Sequence, residues 1–239
     1  MGRHGTIANR KSAQDSKRAA IFTKFSRQII VAAKNGGDPD FNPSLRVAID
    51  KAKSIGMPND NINRAIKKGT GELGGETYEE LQFEGYGPSG VAVIVDALTD
   101  NKNRTAAFVR SVFDKNGGNL GTPGCVSYMF SRHGVIIIDS EGLNEDEVMM
   151  TALEAGADDM MVNEDNFEIR TDPSAFNDVH KAIQEAGYEI FEAEVEYIPS
   201  MEANVTSEDA IKSLNKLISS LEENDDVQKV YYNCDLDIE

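Results

Sequence analysis

The sequence predicts an α+β protein: an N-terminal three-helix domain followed by two ferredoxin-like α+β domains, one inserted in the other. Three observations predict it. The first seventy residues have helical periodicity, residues 134–203 contain elements in the order βαββαβ, and the elements on either side of that segment repeat the order. We expect domains over residues 1–75, over 76–133 together with 204–239, and over 134–203.

Three amphipathic helices are expected in the first domain. Apolar residues at helical spacing predict the first from Ser12 to Ala33, and Asn35-Gly36-Gly37 ends it. The second is expected from Pro43 to Ile55 and the third from Asp60 to Lys68. Short loops between such helices are typical of a small bundle. The glycine-rich stretch from Gly69 to Gly75 then predicts a linker.

The discontinuous domain is expected to have a buried central strand at Val91 to Ala97, because that run is nearly all apolar and rich in β-branched residues. A helix from Asn101 to Lys115 follows it. The other expected elements are strands at Tyr78 to Phe83, near Leu120, at Cys125 to Phe130 and at Val227 to Asn233, and a helix at Ser207 to Leu221. In this prediction the third strand of the βαββαβ order is Cys125 to Phe130.

The inserted domain has a complete βαββαβ order of its own. In the second of its helices, Asp172 is the expected cap, Pro173 takes the first position and Gly187 ends the helix. The expected strands are Val135 to Asp139, Met160 to Asn163, Phe167 to Thr171 and Tyr188 to Tyr197, and the expected helices are Glu145 to Ala155 and Pro173 to Ala186.

Charge divides the chain at the first linker. The first seventy residues hold 14 Lys and Arg against 5 Asp and Glu, a formal charge of +9, whereas the remainder carries −26. Such an asymmetry indicates that the basic part binds a polyanion, although Lys and Arg also serve simply to keep helices soluble. The candidate nucleic-acid-binding residues are Arg3, Arg10, Lys11, Lys17, Arg18, Lys24, Arg27, Lys34, Arg64, Lys67 and Lys68.

A second candidate anion site lies where the central strand meets its helix. Asp100 or Asn101 can cap that helix, which leaves backbone N–H groups near Lys102, Asn103 and Arg104. This combination suits a phosphate. An ordinary capped helix with charges facing solvent explains the same residues, and both interpretations stay open.

The sequence offers no catalytic constellation. The three histidines lie in different predicted domains, no metal-ligand spacing joins them to Cys125 or Cys234, and the two cysteines are expected as free thiols. The glycines at positions 85, 87 and 90 precede a strand instead of opening a helix, which predicts a turn and not a nucleotide site. We expect no catalytic residue, bound metal, cofactor, small-molecule substrate or membrane segment. The protein is expected to be cytoplasmic and not an enzyme.

Several motifs resemble the YebC family of bacterial and organellar regulators. In the basic segment they are Asn9 to Phe25, Gly37 to Asp40 with Asn42-Pro43, Ala48 to Lys53, Met57-Pro58 and Arg64 to Lys68. In the centre they are Phe83 to Gly90, Leu98 to Thr105, Gly117 to Gly121 and Ser127 to Gly134. The opening, Gly2 to Lys11, departs from the longer, tryptophan-containing opening of many members.

The resemblance implies three domains with one α+β domain inserted in the other. It also implies a non-enzymatic regulator, since members are generally described as DNA-binding transcriptional regulators. We therefore expect DNA as the partner. The alternative is a ribosome-associated translation factor that binds ribosomal RNA, because the family includes mitochondrial translational activators and because Lys and Arg bind the phosphates of both nucleic acids.

Overall fold

The computed structural model describes residues 7–74, 77–163 and 165–234, without the side chains of residues 7–18 and of Pro43. Contacts divide the chain into two compact units. The first is Met1–Val126 with Ala203–Glu239, and the second is Ser127–Glu202. The second unit is therefore an insertion in the sequence of the first.

Three helices open the first unit: α1 (Ile7–Ala33), α2 (Pro43–Ser54) and α3 (Asn59–Gly69). Asn42 caps α2, because its side chain accepts a hydrogen bond from the backbone N–H of Leu45. The three apolar faces form one core, which Tyr78 and Leu98 extend toward the sheet that follows. Its fully or nearly fully buried members include Ile29, Ala33, Leu45, Ala52, Ile62 and Ala65.

The sheet of the first unit contains β1 (Glu79–Tyr86), β2 (Ala92–Thr99), β3 (Asn119–Leu120) and β8 (Val227–Tyr232), in the order β3-β1-β2-β8. Helices α4 (Lys102–Lys115) and α7 (Glu208–Glu222) pack against it. Seven of the eight residues of β2 are buried, as expected for the apolar central strand. Gly87 and Gly90 belong to the β1–β2 turn, as predicted, whereas Gly85 lies in β1 and pairs with Val93 and Leu120.

The strand predicted at Cys125 to Phe130 is wrong. The carboxylate of Glu84, which is buried in β1, accepts hydrogen bonds from the backbone N–H groups of Gly124 (2.8 Å) and Val126 (3.0 Å). Gly124 has a φ of +89°, a conformation that favours glycine. These contacts hold the segment in a turn, which continues as a short 3₁₀ helix at Ser127–Met129.

Strand β1 takes the sheet position that was predicted for Cys125 to Phe130. In a ferredoxin-like sheet the third strand lies between the first and the second. Here β1 lies between β2 and β3 and runs antiparallel to both, although it comes before them in the chain. The first unit therefore has a ferredoxin-like sheet whose third strand is supplied from the N-terminal side.

The second unit follows the predicted order βαββαβ without rearrangement. Its strands are β4 (Phe130–Asp139), β5 (Asp159–Val162), β6 (Asn166–Thr171) and β7 (Ile190–Pro199), in the order β5-β6-β4-β7, and its helices are α5 (Glu145–Glu154) and α6 (Phe176–Glu185). All strand pairs are antiparallel. Ile136 and Ile138 of β4, Val148 of α5 and Val179 of α6 lie in one core.

Helix α6 begins three residues later than predicted. The carboxylate of Asp172 accepts from the backbone N–H and the hydroxyl of Ser174, and the backbone N–H of Ala175 donates to the carbonyl of Asp172. These bonds close a turn before Phe176, so Asp172 caps the turn and not the helix. The predicted fold class is confirmed, whereas the exact domain boundaries remain predictions.

Candidate nucleic-acid interface

Helix α3 presents a basic face. Ile62 and Ala65 are buried against the bundle, whereas Arg64, Lys67 and Lys68 are exposed. Residues separated by three and four positions lie on the same side of a helix, so these three cations form one patch. The two lysines lie in the last turn, where a positive charge is favourable near the negative end of the helix dipole.

The three cations of α3 make no ion pair or side-chain hydrogen bond with any residue that the structure describes. This distinguishes them from three basic residues of α1, which bind carbonyl groups or carboxylates of the first unit. A cation without an internal partner can approach a phosphate without losing an existing bond. We define Arg64, Lys67 and Lys68 as the α3 patch.

Helix α1 carries most of the other predicted binding residues. Arg10, Lys11, Lys17 and Arg18 lie in its N-terminal half, where the structure gives the helical backbone and their side chains are outside the described part. Arg3 lies outside the described residues altogether.

Two lysines of α1 bind the protein itself. The Nζ atom of Lys24 donates to the carbonyl of Glu222 at 2.8 Å, and that of Lys34 donates to the carbonyl of Tyr78 at the same distance. Burial lowers the pKa of Lys24, although the nearby charges of Glu222 and Asp225 act in the opposite direction. Both lysines thus join α1 to the rest of the first unit.

Arg27 forms more hydrogen bonds with the protein than either lysine does. Its Nη1 atom donates to Oδ1 of Asp226 at 2.7 Å and to the carbonyl of Leu98 at 3.3 Å, and it also contacts the carbonyl of Asp225. The side chain is only 12% exposed and that of Asp226 only 5%. The arginine that was predicted to bind nucleic acid therefore forms a buried ion pair.

Asp226 is the centre of this cluster. Its carboxylate also accepts from Nη2 of Arg104 (2.8 Å) and from the hydroxyls of Thr105 (2.8 Å) and Thr99 (3.3 Å). Burial by itself would raise the pKa of Asp226, but the hydrogen bonds from Arg104 and Thr105 and the charge of Arg27 outweigh it, so the pKa is lowered. The same contacts make Asp226 a fixed negative charge at neutral pH.

The second candidate anion site is occupied by carboxylates of the protein. Asn101 caps α4 by accepting from the backbone N–H of Arg104 at 3.0 Å. The Arg104 side chain is hydrogen-bonded to Asp226 and to Asp100, which raises its pKa, and Lys102 is paired with Glu79. Asn103 is exposed. The four residues are neighbours, and both cations bind carboxylates of the protein, an arrangement that favours the interpretation as an ordinary capped helix.

Sequence reasoning missed Asp226 and Glu84. Asp226 ends the polar run from Glu222 to Asp226, which has the composition of a solvated loop, and its partners lie more than one hundred residues away in sequence. Glu84 lies in β1, and the turn from Gly124 to Val126 covers its carboxylate. No spacing pattern in the sequence identifies either carboxylate as buried.

Three glutamates of β7 form a cluster in the described part of the chain. The carboxylates of Glu192, Glu194 and Glu196, at alternate positions of β7, lie within 4.8 Å of one another. Acidic groups of this kind are common on an acidic surface, and we assign no metal to them.

Among the helices in the described ranges, none is long and apolar enough to cross a membrane.

Family models match nearly the whole chain. The model described as the TACO1/YebC protein N-terminal domain matches residues 3–72, and the model described as the TACO1/YebC second and third domain matches residues 78–234.

Similar proteins cover the chain from end to end. A probable transcriptional regulatory protein of Clostridioides difficile strain 630 is 54% identical over 239 residues, which are 99% of this chain and 100% of the relative. One from Listeria monocytogenes serovar 1/2a is 53% identical over 96% of both chains. The crystal structure of a conserved hypothetical protein from Aquifex aeolicus matches with a TM-score of 0.83 and 45% identity, over 93% of this chain and 92% of that one.

Proposed function

The chain belongs to the TACO1/YebC family, and from this membership we propose that it is a cytoplasmic, non-enzymatic regulator that binds DNA and controls transcription. Its relatives in Clostridioides and Listeria are named as probable transcriptional regulatory proteins. The observation that carries the proposal is the α3 patch, because its cations are exposed and bind none of the described residues.

The chemistry of the patch favours phosphate contact. Lys and Arg that neutralise phosphates release counterions from the nucleic acid, which makes binding strong at low salt and steeply dependent on salt. Contacts of this kind position a protein on nucleic acid and carry little sequence information. The basic N-terminal half of α1 adds further cations to the same helical bundle. The acidic remainder of the chain repels nucleic acid and so favours approach through the bundle.

The test reverses the charge of the α3 patch. We expect the triple variant Arg64→Glu, Lys67→Glu, Lys68→Glu to bind a DNA duplex much more weakly than the wild type. If each residue contacts one phosphate, the slope of log affinity against log salt becomes shallower by about 2.7, at roughly 0.9 for each contact. Fluorescence anisotropy over a salt series measures both quantities.

The matched control reverses three exposed lysines elsewhere. Lys115, Lys181 and Lys212 lie on α4, α6 and α7, and replacing all three by glutamate changes the net charge by the same amount. The control should keep nearly the wild-type slope. Equal slopes for the wild type and the α3 variant would refute the patch as the interface.

A second candidate is a ribosome-associated translation factor that binds ribosomal RNA. The favouring observation is that the α3 patch consists of exposed lysine and arginine side chains, a chemistry that does not select between the phosphates of DNA and RNA. Crosslinking in cells, followed by sequencing of both nucleic acids, separates the two. Promoter DNA that is lost with the triple variant supports transcription, whereas a defined ribosomal RNA site that is lost with it supports translation.

A further inference from the structure

A groove between α1 and α3 lies next to the α3 patch. It has a volume of about 390 Å³. Phe22 and Ile30 of α1 and Ala65 of α3 contribute apolar surface, whereas Ser26 of α1 and Asn61 of α3 contribute polar groups. The groove is thus a concave site with mixed lining, and this mixture is typical of sites for small organic groups.

The charges of this groove all have the same sign. Two residues of the α3 patch, Arg64 and Lys68, line it together with Arg27, and no carboxylate belongs to the part that the described residues form. The neighbouring hollow around Asp226 is different, because Asp100, Glu223 and Asp225 also line it. The groove therefore suits an anionic ligand, and the hollow does not.

Arg27 adds a further polar group. Its Nη1 atom is bound to Asp226, but its Nε atom is buried and has no hydrogen-bond partner among the described residues. A buried donor without a partner is costly, so an acceptor that reaches it would be stabilised.

We infer that the groove binds a single unpaired nucleotide, with the base against the apolar surface and the phosphate on Arg64 and Lys68. The inference rests on the proposed function, and it specifies the form of nucleic acid that this site takes. A nucleotide combines a flat apolar face, polar edges and an anionic phosphate, which complement the apolar surface, the polar groups and the cations of the groove. A base inside a duplex stays stacked between its neighbours and cannot enter a groove of this size.

Single-stranded DNA and single-stranded RNA both supply such a nucleotide. The experiment therefore compares three labelled probes of one mixed sequence: a DNA strand, an RNA strand and a blunt DNA duplex. Affinities are measured by fluorescence anisotropy with the full chain at one salt concentration. The wild type should bind at least one single strand more tightly than the duplex, and the tighter strand identifies the source of the nucleotide.

The decisive variant fills the groove. Ser26→Leu adds a bulky apolar side chain where the base is placed, and leucine is a good helix former. The control Ser54→Leu makes the same change at an exposed position of α2. Since stacking on one base contributes about 1–3 kcal/mol, Ser26→Leu should weaken single-strand binding by about 5- to 150-fold. Duplex binding should change by less than twofold, and Ser54→Leu should resemble the wild type with every probe.

The outcomes separate this inference from the proposed function. If Ser26→Leu binds the single strands as tightly as the wild type does, or if the duplex is the preferred probe, the groove does not hold an unpaired nucleotide. Salt-dependent binding through the α3 patch would still stand in both cases. If the wild type binds none of the probes, the proposed function fails and the inference fails with it.

Discussion

Replacing Asp226 by asparagine removes one charge from the buried cluster and keeps the shape of the side chain. The carboxylate is 5% exposed and receives hydrogen bonds from Arg27 at 2.7 Å and from Arg104 at 2.8 Å. Removing one partner from a buried ion pair costs about 3–5 kcal/mol, because the other charge stays buried without compensation. Arg104 is half exposed and keeps Asp100, so we expect the lower end, about 3 kcal/mol.

The loss of stability caused by Asp226→Asn should be confined to the first unit. Native-state hydrogen exchange measures it at the buried amides of β2, and the amides of β6 in the second unit serve as an internal reference. The matched variant is Asp225→Asn, since Asp225 is exposed and offers Arg27 only its backbone carbonyl. It should change the free energy of unfolding by less than about 0.5 kcal/mol.

Acid should remove the difference between Asp226→Asn and the wild type. The pKa of Asp226 is lowered in the folded protein, so its charge stabilises the fold above the unfolded pKa of about 3.9. That stabilisation is lost as the pH falls from about 4 through the folded pKa, because the protonated carboxyl resembles an amide. A difference below 1 kcal/mol at pH 7, or one that does not shrink in acid, would refute the central role of Asp226.

Two other positions test the packing of the separate units. Asn42→Ala removes the cap of α2 and two hydrogen bonds to the carbonyls of Ala32 and Gly36, so the free energy of unfolding should fall by about 2–3 kcal/mol. Chemical denaturation followed by circular dichroism measures this change. The control is Asn59→Ala at an exposed position. Gly134→Ala places a Cβ atom 2.6 Å from Cδ2 of Phe176, which should destabilise the second unit by about 1–3 kcal/mol. Hydrogen exchange at β6 measures that loss, and unchanged exchange there would contradict the steric argument.

The fold was largely predictable because its signals are local. Helical periodicity, capping residues and the apolar run at Val91 to Ala97 depend on neighbours in sequence, and the structure contains the expected helices and the central strand. The segment from Cys125 to Phe130 was mispredicted because its conformation depends on Glu84, about forty residues earlier in the chain. A strand pattern in sequence does not reveal that a distant carboxylate binds the backbone N–H groups.

The candidate site was less predictable because its contacts join residues that are distant in sequence. A count of charges does not distinguish Lys24 and Arg27 from Arg64. Lys24 and Arg27, however, bind groups about 200 residues away in sequence. Only the fold separates cations that hold the protein together from cations that remain available to a ligand.

This separation also gives the basic bundle an orientation. Lys24 and Arg27 contact the segment from Glu222 to Asp226, so one side of α1 is fixed against the acidic part of the first unit. Helix α3 packs on α1, and its own cations, Arg64, Lys67 and Lys68, are exposed and form no hydrogen bond or ion pair with that acidic segment. A polyanion that approaches the bundle is repelled from the acidic side and attracted to the α3 patch and to the groove beside it. In the proposed function, the ion pair of Arg27 with Asp226 therefore also determines from which side nucleic acid approaches the bundle.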